Sequence, residues 1–130
     1  MTFFDNGVDE VYADYAVPAA YEGYPGLAHG GIVAAMLDEI VGRVAMIGDH
    51  HNFMMTVRLE LKYRHPVPTE TPLHLVGRVE RMRGRLGKAI GELYLPDSTL
   101  AVEAALTLAD IPADFLAGAD PEAFGWRVDG

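Results

Sequence analysis

Pro25-Gly26-Leu27-Ala28-His29-Gly30-Gly31 runs directly into Ile32-Val33-Ala34-Ala35-Met36-Leu37-Asp38-Glu39-Ile40-Val41-Gly42-Arg43-Val44, and this junction decides the reading of the whole chain. Apolar side chains at 32, 33, 36, 37, 40, 41 and 44 recur at the spacing of one helical face, so the spacing predicts a helix over 32–44. Glycines immediately before it give a hinge where a ligand can approach the backbone. The first N–H groups of a helix lack intrahelical acceptors and carry partial positive charge, which suits an anion or a developing oxyanion.

With Ile32 set at zero and 100° per residue, Asp38 falls at about 240°, away from the bulky apolar arc. Its neighbours on that side are Gly31, Ala34, Ala35, Gly42 and Ala45, small residues where a solvent-facing helix would carry Lys and Glu. A small-residue face permits close approach of another backbone, which predicts a helix covered on both sides with Asp38 in an interface. Glu39 lies four residues before Arg43, the spacing of a helical ion pair, so it reads as structural and Asp38 is left as the candidate acid. Gly30 and Asp38 are about 12 Å apart along one helix and cannot both touch one reacting carbonyl. If both act, each must come from a different subunit.

Downstream, Met55, Val57, Leu59, Leu61 and Tyr63 alternate with Thr56, Arg58, Glu60 and Lys62, the period of a strand. Pro66-Val67-Pro68 closes it. Leu73–Met82, Lys88–Leu95 and Thr99–Leu108 read as three further strands, joined by turns at Gly84–Gly87 and Pro96-Asp97-Ser98, and an N-terminal strand is expected around Val11–Val17. Short joins mean antiparallel neighbours, so the class is α+β, a helix against an antiparallel sheet. One helix cannot cover both faces of such a sheet, and a second copy is the simplest cover.

The 130 residues fit one domain, read as a core at about 10–110 followed by an acidic tail at 111–130. No cysteine is present, which excludes disulfides, thiolate metal sites and a cysteine nucleophile. The N-terminal residues carry no signal-peptide pattern and no segment has the ~20 uninterrupted apolar residues of a membrane span, so a soluble, cytoplasmic protein without membrane partners is expected. Net charge is −9, yet residues 23–96 hold nine bases against seven acids. The overall acidity argues against nucleic acid as a partner, while the basic middle suits a small phosphorylated ligand.

His29-Gly30-Gly31 with Asp38 nine residues after the histidine, the strand Thr56-Val57-Arg58-Leu59-Glu60-Leu61-Lys62-Tyr63, and Pro66-Val67-Pro68 together resemble the hotdog-fold acyl-CoA thioesterases of the PaaI-like and 4-hydroxybenzoyl-CoA thioesterase group. The resemblance covers roughly residues 20–108. It implies a long central helix wrapped by a five- to six-stranded antiparallel sheet, paired into a homodimer and then a dimer of dimers. It implies an acyl-CoA thioester substrate hydrolysed without a cofactor or metal. Gly30 would donate its N–H to the thioester oxygen, His29 would help shape that turn, Gly31 would bind substrate, Asp38 of the partner would activate water or attack the carbonyl, and Thr56 would hydrogen-bond to the carboxylate or the water. Arg81, Arg83, Arg85 and Lys88, on a predicted hairpin, would meet the phosphates of CoA; the same charges also suit a solvated hairpin edge.

The resemblance leaves two other functions open: hydration or dehydration of an acyl thioester, and a noncatalytic acyl-CoA-binding module on the same scaffold. Asp49, His50 and His51 invite a metal, but adjacent loop histidines rarely share one. His65 and His74 read as structural. Ser98 and Thr99 have no neighbouring histidine to make a triad. The glycines at 23–31 fit neither a phosphate loop nor a dinucleotide fingerprint. Phe53, Met54 and Met55 could line an acyl pocket, though core packing is the commoner use of such residues.

Overall fold

The structure is a computed structural model that describes residues 1–7, 9–44, 54–83 and 85–111. Among them, β1 (Thr2–Asp5) and β2 (Glu10–Tyr15) lead through a short 3-10 turn (Ala19–Tyr21) into helix α1 (Gly30–Val44), and then come β3 (Met54–Tyr63), β4 (Leu73–Arg83), β5 (Leu86–Tyr94) and β6 (Leu100–Asp110). The strands form one antiparallel sheet in the order β1-β2-β4-β5-β6-β3. The α+β expectation holds, with six strands.

β1 is the strand that periodicity missed. It is only four residues long, too short for alternation to register, and it is placed by packing: the Arg43 guanidinium sits 4.0 Å over the Phe3 ring, joining the sheet edge to the end of α1. Arg43 also pairs with Glu39 at 3.6 Å, the expected helical ion pair.

The core lies between α1 and one face of the sheet. Val33, Met36, Leu37, Ile40, Val41 and Val44 are buried, the arc that the apolar spacing predicts. They meet inward residues of every long strand, among them Leu75, Leu93, Val102, Leu106 and Leu108. Each such side chain contributes roughly 1.5–3 kcal/mol on burial, so this face carries most of the stabilisation.

Two glycines let the helix sit close. Gly77 of β4 and Gly91 of β5 are register partners directly beneath α1. A Cβ at Gly77 would lie 3.1 Å from the Ile40 carbonyl oxygen, and one at Gly91 would lie 3.1 Å from Val41 Cγ2 and 3.2 Å from Leu37 Cδ2. The small-residue side of α1 is a different matter: Gly31 and Ala35 are exposed, and a Cβ on Gly42 would meet nothing within 4 Å. Among the described residues, β3 reaches that side at Asp38, through Thr56.

β3 is an edge strand, with Met55, Val57, Leu59 and Tyr63 exposed by 37–51%. An edge that presents unpaired backbone and large apolar side chains is a template for pairing with another chain. No helix among the described residues is long and apolar enough to cross a membrane.

Candidate active site

The glycine turn is a hairpin stitched to the loop after β3. Pro25 and Gly26 occupy the centre of a type II turn, closed by the Leu27 N–H donating to the Tyr24 carbonyl at 2.9 Å, with Gly26 at φ 79°, which glycine tolerates without strain. The Ala28 N–H donates to Val67 O at 2.7 Å and the Thr69 N–H to Gly26 O at 3.0 Å, so the Pro66-Val67-Pro68 segment holds the turn against the body.

The N–H groups at the start of α1 can be accounted for one by one. His29 donates to Tyr21 O at 2.9 Å; Gly31 donates to the His29 side chain, Nδ1, at 3.0 Å; Ile32 and Val33 both donate to His29 O, at 3.0 and 3.2 Å. Among the described residues only the Gly30 N–H of this run finds no acceptor. In a trans peptide the N–H points opposite to the carbonyl it shares a plane with. The His29 carbonyl faces the helix, so the Gly30 N–H faces away from it. The imidazole reaches Gly31 because that residue has no Cβ; one would stand 3.1 Å from Nδ1.

Asp38 is half-buried against β3, and the Thr56 hydroxyl donates to its Oδ1 at 2.6 Å. Strict alternation along 55–63 would put Thr56 on the outer face with Arg58, Glu60 and Lys62, away from the helix. The structure corrects that phase. Thr56 pairs with Leu108 and Arg58 with the next residue of β6, Thr107, so Val57 is an unpaired bulge residue. The extra residue returns Thr56 to the inner face while Arg58 stays outside, a re-aiming that bulges perform beside functional sites.

A groove of about 590 Å³ opens at the helix N-terminus, lined by Tyr24, His29, Gly30, Val33, Tyr63 and His65 among others. Arg64, on its rim, is anchored to Glu103 Oε2 by Nε at 3.1 Å and a terminal nitrogen at 2.8 Å. His65, read as structural from sequence, therefore borders the groove. His74 is held by Asp14 at 2.8 Å and stacks on Tyr12, outside it.

The predicted residues thus fall into two groups within the chain: His29 and Gly30 lining the groove, with Gly31 next to them but outside its lining, and Asp38 with Thr56 further along α1. Arg81, Arg83, Arg85 and Lys88 belong to neither. Arg81 pairs with Lys88 and Arg83 with Leu86 at the far end of the β4–β5 hairpin, and all four side chains are exposed. Lys88 also pairs with Thr107, placing this end of the sheet opposite the groove. Gly84, Phe53, Asp49, His50, His51 and residues 112–130 lie outside the described residues. Among the described ones, no three His, Asp or Glu side chains are grouped to hold a metal.

Sequence reasoning missed Tyr63 as a site residue. Its hydroxyl donates to the Gly30 carbonyl at 2.7 Å. Burial pushes the phenol above its ordinary value, so it keeps the proton it donates. The one signal was its place as the last residue of the alternating strand.

A long helix seated across one face of a six-stranded antiparallel sheet, with a glycine turn at its start and one carboxylate tied to the edge strand, defines the hotdog class of α+β proteins. The chain belongs to the thioesterase superfamily, whose sequence profile matches residues 25–102. It is similar to the acyl-coenzyme A thioesterase THEM4 of Xenopus laevis, with 35% identity over 71 residues, 52% of this chain and 30% of that protein. It thus spans under a third of that curated relative's length. A crystal structure of a thioesterase superfamily protein superposes with a TM-score of 0.71 at 29% identity, covering 78% of this chain and 49% of the other. A Streptococcus mutans UA159 protein solved bound to acetyl CoA superposes with a TM-score of 0.77 at 17% identity, covering 84% and 86%. At that identity the likeness is one of fold.

Proposed function

We propose that the chain hydrolyses acyl-CoA thioesters to a free acid and a thiol at a site shared by two subunits. The observation that carries this is the separation of its two chemical halves. Gly30 offers the one N–H at the helix start that lacks an acceptor among the described residues, while Asp38, about 12 Å along the same helix, holds the carboxylate. One chain cannot apply both to one carbonyl.

Antiparallel pairing of β3 with its own copy about the strand's middle would unite the halves. Thr56 lies near one end of β3 and Tyr63 at the other, so a two-fold axis between them sets Thr56 and Asp38 of one subunit against the partner's Tyr63 and the partner's Gly30. The same pairing would cover the exposed apolar edge. Family membership and the likeness to an acyl-CoA thioesterase support the reaction class.

In this reading the thioester oxygen sits at the Gly30 N–H, which stabilises the negative charge that develops there. Asp38 takes a proton from water as the water oxygen bonds to the carbonyl carbon, or attacks that carbon itself to form an anhydride that water hydrolyses once the thiolate has left, freeing the acid and restoring the carboxylate. The C–S bond then breaks and the departing thiolate is protonated. Thr56 orients the carboxylate. The cations of the β4–β5 hairpin act at longer range, attracting a polyanionic CoA to a protein of net charge −9.

Subunit mixing tests the shared site. Gly30→Pro removes the donor at a helix position that tolerates proline, and Asp38→Ala removes the acid. Each variant alone should release no thiol from a panel of aryl-, short- and long-chain acyl-CoAs that wild type cleaves. Refolded together in equal amounts, hybrids regain one complete site in two, for roughly a quarter of wild-type activity. No recovery on mixing would defeat the shared site, and full turnover by Asp38→Ala would defeat the mechanism.

A further inference from the structure

The peptide unit between Gly30 and Gly31 is held at both ends by side chains. Its oxygen accepts the Tyr63 hydroxyl at 2.7 Å and its N–H donates to His29 Nδ1 at 3.0 Å. One clamp comes from the adjacent residue; the other arrives 33 residues later from the edge strand. Both glycines fit this arrangement: a Cβ on Gly30 would lie 3.7 Å from the Tyr63 oxygen, and one on Gly31 would crowd the imidazole.

A glycine pair at a helix start has more backbone freedom than any other dipeptide, and helix ends fray. The Gly30 N–H shares its peptide plane with the His29 carbonyl, which accepts from Ile32 and Val33 at 3.0 and 3.2 Å, so its aim holds only while this first turn stays formed. A hydrogen-bond donor stabilises a developing charge only when it is aimed beforehand. The neighbouring peptide planes bear on that direction. The one before is pinned by the His29 N–H on Tyr21 O, and the one after by Tyr63 and His29 together.

From this geometry, and resting on the hydrolytic reading above, we infer that Tyr63 is a positioning residue for thioester cleavage: with His29 it locks the Gly30–Gly31 peptide and so aims the Gly30 N–H at the reacting oxygen. Tyr63 need not touch substrate to do this. The same strand then serves both half-sites, through Thr56 near one end and Tyr63 at the other.

The test is Tyr63→Phe, which keeps the ring and removes the hydroxyl, compared with His29→Ala and with His29→Asn, whose side-chain oxygen can accept the Gly31 N–H. A donor that matters in the transition state shows in kcat, so Tyr63→Phe should lower kcat about tenfold with KM within about twofold. His29→Asn should fall less than His29→Ala. Amide hydrogen exchange at Gly31, read by NMR on the same proteins, should quicken in Tyr63→Phe while the melting curve stays in place. Unchanged kcat, or a loss confined to KM, would overturn the inference. Should the wild-type protein release no thiol from any acyl-CoA, the hydrolytic reading falls on its own; Gly31 exchange unaltered by Tyr63→Phe would separately overturn the clamp.

Discussion

The Thr56 hydroxyl donates to Asp38 Oδ1 at 2.6 Å, on the inner face that Thr56 reaches because the intervening Val57 is left unpaired in β3. Carboxylate orientation in this protein is therefore set by a threonine 18 residues downstream of the acid and by the strand irregularity beside it.

Removing that donor should cost turnover. A hydrogen bond to a charged acceptor contributes about 1.5–3 kcal/mol, so Thr56→Val should lower kcat on a cleaved acyl-CoA by roughly tenfold or more, while Thr56→Ser, which keeps the hydroxyl, should stay close to wild type. Equal rates for the serine and valine variants would show that the contact does not orient the acid.

Deleting Val57 is the sharper experiment. Without the bulge residue, Thr56 opposite Leu108 and Arg58 opposite Thr107 become neighbours in a regular ladder, so Met54, Met55 and Thr56 keep their partners in β6 and Thr56 stays on the inner face. The deletion should therefore keep more activity than Thr56→Val, with circular dichroism reporting an intact sheet; a loss as large as that of Thr56→Val would show that the bulge itself, and not the face Thr56 occupies, sets the contact.

Charge on the apolar edge should separate subunits. Leu59→Lys places an ammonium in the middle of β3, where a paired copy would bring two such charges together. Sedimentation should report the monomer mass and thiol release should disappear; a variant that remains dimeric and active would show that β3 does not pair.

The two close-approach glycines should differ in their tolerance of a methyl group. At Gly77 the obstacle is the helix backbone at Ile40, whereas at Gly91 it is the side-chain ends of Val41 and Leu37, which can rotate. Gly77→Ala should destabilise by about 1–3 kcal/mol and Gly91→Ala by less, read from urea unfolding midpoints.

Alkaline titration reports on Tyr63. Its phenol is raised by burial, so the neutral, donating form persists above the point where an unfolded tyrosine ionises. Whatever the folded state gains from that bond is present below the unfolded value and is lost as pH climbs through the folded one. The ultraviolet difference between wild type and Tyr63→Phe should therefore ionise later than free tyrosine.

The helix and the four long strands were legible because their signals are local. A 3.6-residue period from Ile32 to Val44 and a period of two along 58–63 are dictated by which side chains must leave water. The glycine turn and the helical wheel singled out Gly30 and Asp38, the helical rise separated them, and the resemblance added roles for His29 and Thr56. What stayed hidden depends on contacts across the chain. The bulge at Val57 is visible only against β6, the roles of Gly77 and Gly91 only beneath α1, and the Tyr63 clamp only once β3 lies beside the helix start. No windowed pattern within β3, β4 or β5 contains those partners.

On the proposed shared site, the edge strand β3 ties catalysis to how the protein behaves in solution. If the working unit forms by β3 meeting β3, the fraction of chains able to turn over follows mass action, and specific activity should fall on dilution toward the dissociation constant of the pair. Protein concentration then becomes a control on catalysis in its own right.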